Sequence, residues 1–208
     1  MKTTAWMTVA IAGLSLLPAC GGEDLSTMES RMTRPEAENL VQTNHALAIG
    51  GLTYALNPRG GTTGFPTLTE CPSGYVAVGI HGREGSHVDR LGLLCRYLNA
   101  DGSFGATYYA GAQGGFGGAN CERVCPDGQV IVGFLVRSLN YVNSLNLQCA
   151  PPASWVSEGR VQGYSNSMGI GSGYDFNDRC PQSFVVTSLN VRVGDYVDQM
   201  QAVCSQLY

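Results

Sequence analysis

The chain has 208 residues, of which 28 are glycine, 44% are hydrophobic and only 13% are charged, with a formal net charge of -4. So much glycine with so little charge excludes a helical bundle; the aliphatic content excludes disorder, and the want of a three-residue glycine period excludes a collagen-like rod. The acidic balance, without any Lys/Arg cluster, supplies no phosphate-binding surface and argues against nucleic acid as a partner.

Lys2 precedes an apolar run from Ala5 to Leu17, the length of a secretory apolar region and too short to span a bilayer as a helix. The run ends in Leu17-Pro18-Ala19-Cys20-Gly21, which resembles the bacterial lipobox, where cleavage before the cysteine exposes a thiol for acylation. That resemblance implies a signal peptide over residues 1–19, lipidation of Cys20, and a place in the bacterial cell envelope, anchored at the outer membrane or facing the periplasm, surface-exposed or secreted. An ordinary secretory signal cleaved after Ala19 is the alternative. Residues 20–45 carry five acidic side chains among Ser, Thr and Asn with no regular apolar period, which predicts a flexible polar tether. Membrane contact is then through the anchor alone.

The rest of the chain, 46–208, repeats itself. Cys71-Pro72, Cys125-Pro126 and Cys180-Pro181 each precede a strand-like run, and Cys95, Cys149 and Cys204 each follow 24 residues after the first cysteine. Gly60, Gly114 and Gly169 fall into the same frame, as do Gly64, Gly118 and Gly173, and Arg83, Arg137 and Arg192. Three similar units, about 46–99, 100–153 and 154–208, therefore form one domain.

After each Cys-Pro the residues alternate: Val76, Val78, Ile80; Val130, Val132, Phe134; Val185, Thr187, Leu189. This is the period of a strand with one buried face. A second strand in each unit buries Leu91, Leu93, Cys95, or Leu145, Leu147, Cys149, or Met200, Ala202, Cys204. The glycine-rich stretches upstream are bends, so each unit offers about four short strands and no helix. The equal spacing pairs Cys71 with Cys95, Cys125 with Cys149 and Cys180 with Cys204 within each repeat, although crossed partners satisfy the count as well. Cys121 has no counterpart at Thr67 or Phe176 and is left as a free thiol or an exchange partner for Cys125.

The triple repeat resembles the all-β β-prism group, in which three four-stranded antiparallel sheets surround a pseudo-threefold axis. The Cys-Pro-x-Gly starts, Gly79-Ile80 and Gly133-Phe134, and the closing cysteines are similar to the vitelline membrane outer layer proteins. The turn between the paired strands resembles the Gly-x-x-x-Asp loop of jacalin-related lectins, which implies a carbohydrate site. Gly85-Ser86-His87-Val88-Asp89 and Gly194-Asp195-Tyr196-Val197-Asp198 fit the pattern, each ending six residues before its closing cysteine. The middle unit reads Leu139-Asn140-Tyr141-Val142-Asn143, which leaves Asn140, Tyr141 and Asn143 as a weaker site.

The chemistry expected of such a loop is a glycine turn with outward N–H groups beside a carboxylate that accepts two sugar hydroxyls. His87, Tyr141 and Tyr196 are placed to stack on a sugar face. The family's accompanying glycine-rich loop would be Gly60-Gly61 for the first unit and Gly169 to Gly173 for the third. The bland reading is a tight turn whose aspartates cap their own hairpins. Arg83, Arg137 and Arg192 are expected to pair with a carboxylate such as the loop aspartate.

Enzyme readings fare worse. Ser86, His87 and Asp89 are too close in sequence for triad geometry; His81 and His87, which with Asp89 could hold zinc, read as exposed polar residues near a strand turn, and Asn99-Ala100-Asp101-Gly102 reads as a turn that lacks the downstream ligands of a calcium loop. No cofactor or metal is implied, and Trp155 is expected in the core or at the rim. The sequence thus reads as a non-catalytic lectin-like protein whose partners are glycans or glycoconjugates, with oligomers compatible. The alternative is a structural or protein-interaction module of an envelope or extracellular layer.

Overall fold

The computed structural model describes residues 46–208; the signal peptide, lipidated Cys20 and tether expected of residues 1–45 lie outside them. Each Cys-Pro opens the first strand of a long hairpin: β4 (Tyr75–Glu84) with β5 (Val88–Leu98), β9 (Val130–Ser138) with β10 (Val142–Ala150), and β13 (Phe184–Val193) with β14 (Val197–Leu207). The expected inward residues of the second strands, Leu91, Leu93, Leu145, Leu147, Met200 and Ala202, are buried in one contiguous core. One expectation fails in the third unit. The register shifts between Val186 and Ser188, so Val186 and Ser188 turn inward while Thr187 is only half-buried and bonds the Ser205 hydroxyl at 2.6 Å.

Every hairpin is the centre of a sheet. Sheet I adds β6 (Phe104–Tyr109) and the two-residue β7 (Gln113–Gly114) to β5, and β8 (Ala119–Val124) to β4. Sheet II adds β11 (Gly163–Tyr164) to β10 and β12 (Tyr174–Arg179) to β9. Sheet III takes its flanking strands from the other end of the described chain: β1 (Ile49–Ala55) and β2 (Arg59–Gly60) pair with β14, and β3 (Phe65–Glu70) pairs with β13. The sheets therefore do not follow the repeat boundaries. Each unit's upstream strands belong to the sheet of the unit before it, and those of the first unit close the third.

The same offset gives the disulfides a purpose. Cys71, Cys125 and Cys180 each follow an edge strand of one sheet, and their N–H groups still bond the Thr187, Val78 and Val132 carbonyls of that sheet. Each is bridged to Cys95, Cys149 or Cys204 at the centre of the next sheet, with Cα separations of 5.7, 5.7 and 5.9 Å. Cys121 on β8 is a free, half-buried thiol, which burial pushes up to about 11.

The helix-free expectation needs one correction. Pro151-Pro152 launches α1 (Pro152–Glu158), which ends at Gly159 in the left-handed region. It fills the connection from β10 to β11 and buries Trp155, whose indole N–H donates to the Phe184 carbonyl at 2.6 Å.

Candidate carbohydrate site

The three hairpin turns lie at one end of the molecule and share one geometry. Gly85, Leu139 and Gly194 donate to the carbonyls of His87, Tyr141 and Tyr196 at 2.9, 3.1 and 3.0 Å. Leucine therefore closes the same turn that glycine closes, and neither Gly85 nor Gly194 has a positive φ. This corrects the expectation that these glycines serve backbone bending. A Cβ at Gly85 would stand 3.4 Å from Asp89 Oδ2, and one at Gly194 3.5 Å from Asp198 Oδ2. A side chain there would rest in van der Waals contact on carboxylate oxygens that are already buried.

Against each turn lies a glycine-rich loop, but from a different unit than expected. Gly60-Gly61 belong to the Asp198 turn, Gly114-Gly115 to Asp89, and Gly169 to Gly173 to Asn143, because the sheets are offset from the repeats. Gly61, Gly115 and Gly171 donate to the carbonyls of Asp198, Asp89 and Asn143 at 2.8, 2.8 and 3.2 Å. At Gly60, with φ +110, a Cβ would lie 2.1 Å from the Asp198 carbonyl; at Gly114, with φ +127, 2.3 Å from that of Asp89. No side chain fits either approach. The far side of each loop meets the next turn: a Cβ at Gly61 would strike Asn140, at Gly115 Asp195, and at Gly171 Ser86. Three turns and three loops thus interlock in a ring.

His87, Tyr141 and Tyr196 fill the ring's centre. Their ring centroids are 4.9 to 5.3 Å apart in tilted and edge-on arrangements. They pack on one another, so their stacking partners are the neighbouring turns rather than the open faces foreseen for a sugar. Val88 and Val197 are buried beneath.

The carboxylates are the chemical feature of this end. Asp89 and Asp198 are 4% and 5% exposed, and Oδ2 of each is buried without a hydrogen-bond partner. Asp198 Oδ1 accepts from the Thr63 hydroxyl at 2.5 Å. Asp89 lies under Gly117 and Gly118, where Cβ atoms would stand 2.6 Å from its oxygens. Burial raises the Asp89 carboxyl above the usual range, opposed by His87, Arg83 and its own backbone N–H. In the middle turn Asn143 is equally buried but satisfied at both ends: Oδ1 accepts from His87 Nδ1 at 2.8 Å, and Nδ2 donates to the Ser172 carbonyl.

Arg83 and Arg192 form no ion pair with the loop aspartates. Arg83 donates to the carbonyls of Gly117 and Gly118, both at 2.7 Å, and Arg192 to those of Thr63 and Gly64 at 2.9 and 2.8 Å. They brace the glycine loops through carbonyl oxygens, which corrects the expected pairing with the loop carboxylates. Arg137 does find a carboxylate, Asp175 at 2.6 Å, in an exposed pair away from its turn. Thr63, Gly117 and Gly118 were not foreseen as site residues; the repeat alignment, which superposes Thr63, Gly117 and Ser172 next to the glycines, was the signal that held them. Asn99 to Ser103 is a turn, with the Asp101 carboxylate accepting from the Ser103 N–H and hydroxyl.

Three antiparallel sheets about a pseudo-threefold axis define a β-prism fold of the jacalin-like kind. The wild-type Malaysian banana lectin shares the fold, with a TM-score of 0.53 at 16% identity over 74% of this chain and 99% of that one. So does a mannose-binding jacalin-related lectin from Ananas comosus, at 0.52 and 21% identity over 74% and 98%. Artocarpin complexed with methyl α-mannose gives 0.53 and 14% identity over 75% and 99%. Within this fold the chain belongs to the vitelline membrane outer layer protein I (VOMI) family, whose family model matches residues 54–203. No curated protein matches it in sequence.

Proposed function

We propose that the protein binds carbohydrate, without catalysis, through the Asp89 and Asp198 turns, and that it does so from a lipid anchor on Cys20 in the bacterial cell envelope. The observation that carries the reading is the contrast among the three turns. Two hold a buried carboxylate oxygen with no partner, covered only by glycine backbone; the third holds an amide whose two ends are both bonded. An unpaired buried acceptor costs about 1–3 kcal/mol, and a ligand hydroxyl that supplies the missing donor recovers it. The fold shared with mannose-binding lectins supports the same ligand class.

A glycan array followed by calorimetric titration with methyl α-mannoside tests the site. Wild type is expected to bind and the Asp89→Ala, Asp198→Ala double variant to lose binding while melting near the wild-type temperature; absence of any glycan binding by wild type refutes the reading. The interlocked turns and loops favour a second reading, a structural module, in which the double variant would instead melt far lower. Metabolic labelling with a clickable fatty acid in a bacterial host tests the anchor, with label on wild type and none on Cys20→Ala.

A further inference from the structure

Among the described residues the four most exposed large apolar side chains are Ile170 at 86%, Phe65 at 80%, Phe116 at 79% and Tyr174 at 70%. All four stand at the hairpin-turn end. Phe116 and Ile170 sit in the glycine loops, between Gly115 and Gly117 and between Gly169 and Gly171. Phe65 and Tyr174 open β3 and β12, paired with Val193 and Ser138 next to the turns at Gly194 and Leu139. Leu139, itself exposed, joins them from the middle turn. The fold closes without apolar groups at these positions. Where the first and third units have Phe65 and Tyr174 the second has Ala119, and where the second has Phe116 the first has Thr62. Large apolar groups kept in water at one end, and not needed for folding, mark a docking surface.

We propose that this end docks on a neutral lipid bilayer, with Phe65, Phe116, Ile170 and Tyr174 entering its interface. Shape and charge both favour lipid over a protein partner. The four side chains stand on separate loops and strand starts of all three sheets, around a centre already filled by His87, Tyr141 and Tyr196. Scattered, protruding tips suit a partner that deforms around each of them, as acyl chains do, and the Tyr174 phenol suits the headgroup boundary. The charges specify a neutral surface. Beyond Lys2 the chain has no lysine, Arg83 and Arg192 are held on loop carbonyls, and Arg123 is paired with Glu84. Arg90 stacks 4.2 Å from the Phe116 ring centroid, while Asp195 is exposed between the tips. Anionic lipid would need a basic cluster that this end does not have. The docking does not rest on the carbohydrate reading, because the tips are side chains other than the loop aspartates.

Fluorescence of the full chain with vesicles of phosphatidylcholine brominated on its acyl chains tests this, since bromine quenches only a tryptophan that reaches it. Phe116→Trp is the reporter, read against the parent protein, whose Trp155 is buried. Its emission is expected to shift to the blue and to be quenched. Leu52→Trp, exposed on β1 beside the far end of β14, is expected to show neither change. Adding Phe65→Ser and Ile170→Ser to the reporter weakens vesicle binding about tenfold per side chain, and both are exposed, so the melting temperature holds. An unquenched reporter at 116, or equal quenching at 116 and 52, overturns the docking. So does a wild-type dimer, seen by sedimentation without vesicles, that Phe65→Ser dissociates, because the tips then belong to a second copy. The vesicles carry no sugar, so failure here leaves the aspartate turns standing, and failure of glycan binding leaves the docking standing.

Discussion

At the scale of single residues, three homologous positions, 89, 143 and 198, separate function from stability. Asn143 shows what the site looks like when its amide is bonded at both ends, and the two aspartates show it with a buried acceptor left unpaired. For Asp89 the cost has a sign. Its carboxyl titrates above the ordinary range because burial disfavours the charge. Between the unfolded value and that raised value the folded chain keeps a proton that the unfolded chain has lost, so this group's contribution to stability falls as pH rises through the window. Asp89→Asn is therefore expected to raise stability at neutral pH by about 1 kcal/mol, to flatten the slope of melting temperature against pH across the carboxylate range, and to weaken binding at that turn. Melting curves over that range check it; a variant less stable than wild type at neutral pH contradicts the account. The aspartates themselves were legible from sequence, because the Gly-x-x-x-Asp spacing recurs at a fixed distance from the closing cysteine. The arginines' partners were not, since a carbonyl oxygen leaves no trace in side-chain identity.

At the scale of elements, the glycine loops hold the site together. Gly118, with φ +60, would place a Cβ 2.3 Å from the Glu84 carbonyl and 2.6 Å from Asp89 Oδ2, whereas a Cβ at Gly51 meets nothing within 4 Å. Gly118→Ala is accordingly expected to cost about 1–3 kcal/mol from backbone strain and to impair the Asp89 turn, while Gly51→Ala leaves both melting and binding unchanged. Denaturant titration of the two variants side by side makes the comparison. The strands after each Cys-Pro could be read from their alternation, as could most of their inward residues. Which loop serves which turn could not, because periodicity records that a strand has a buried face but not which distant strand it lies beside. The bulge at Thr187 escaped for a related reason: one extra residue reverses the alternation without changing composition. Helix α1 was hidden by its seven-residue length, too short for a helical period to emerge.

At the scale of the whole molecule, each disulfide fastens the edge strand of one sheet to the middle of the next, so the three together bind the sheets around the axis. Each closes a loop with a sequence separation of 24 residues, for which loop entropy gives about 3–4 kcal/mol. Replacing Cys71 and Cys95 together by alanine is expected to lower stability by about that amount, as measured by chemical denaturation, and a loss far below it would mean the sheets are held by packing alone. The closure of sheet III carries a different consequence, one of timing. Sheets I and II are assembled from unbroken stretches of chain and can form as soon as those stretches are made. The strands β1, β2 and β3 are synthesised before either, yet their partners β13 and β14 are the last strands of all. For a chain that emerges N-terminus first, the earliest strands wait longest with open edges, so the moments before the final hairpin arrives are when the molecule is most exposed to aggregation and most in need of protection.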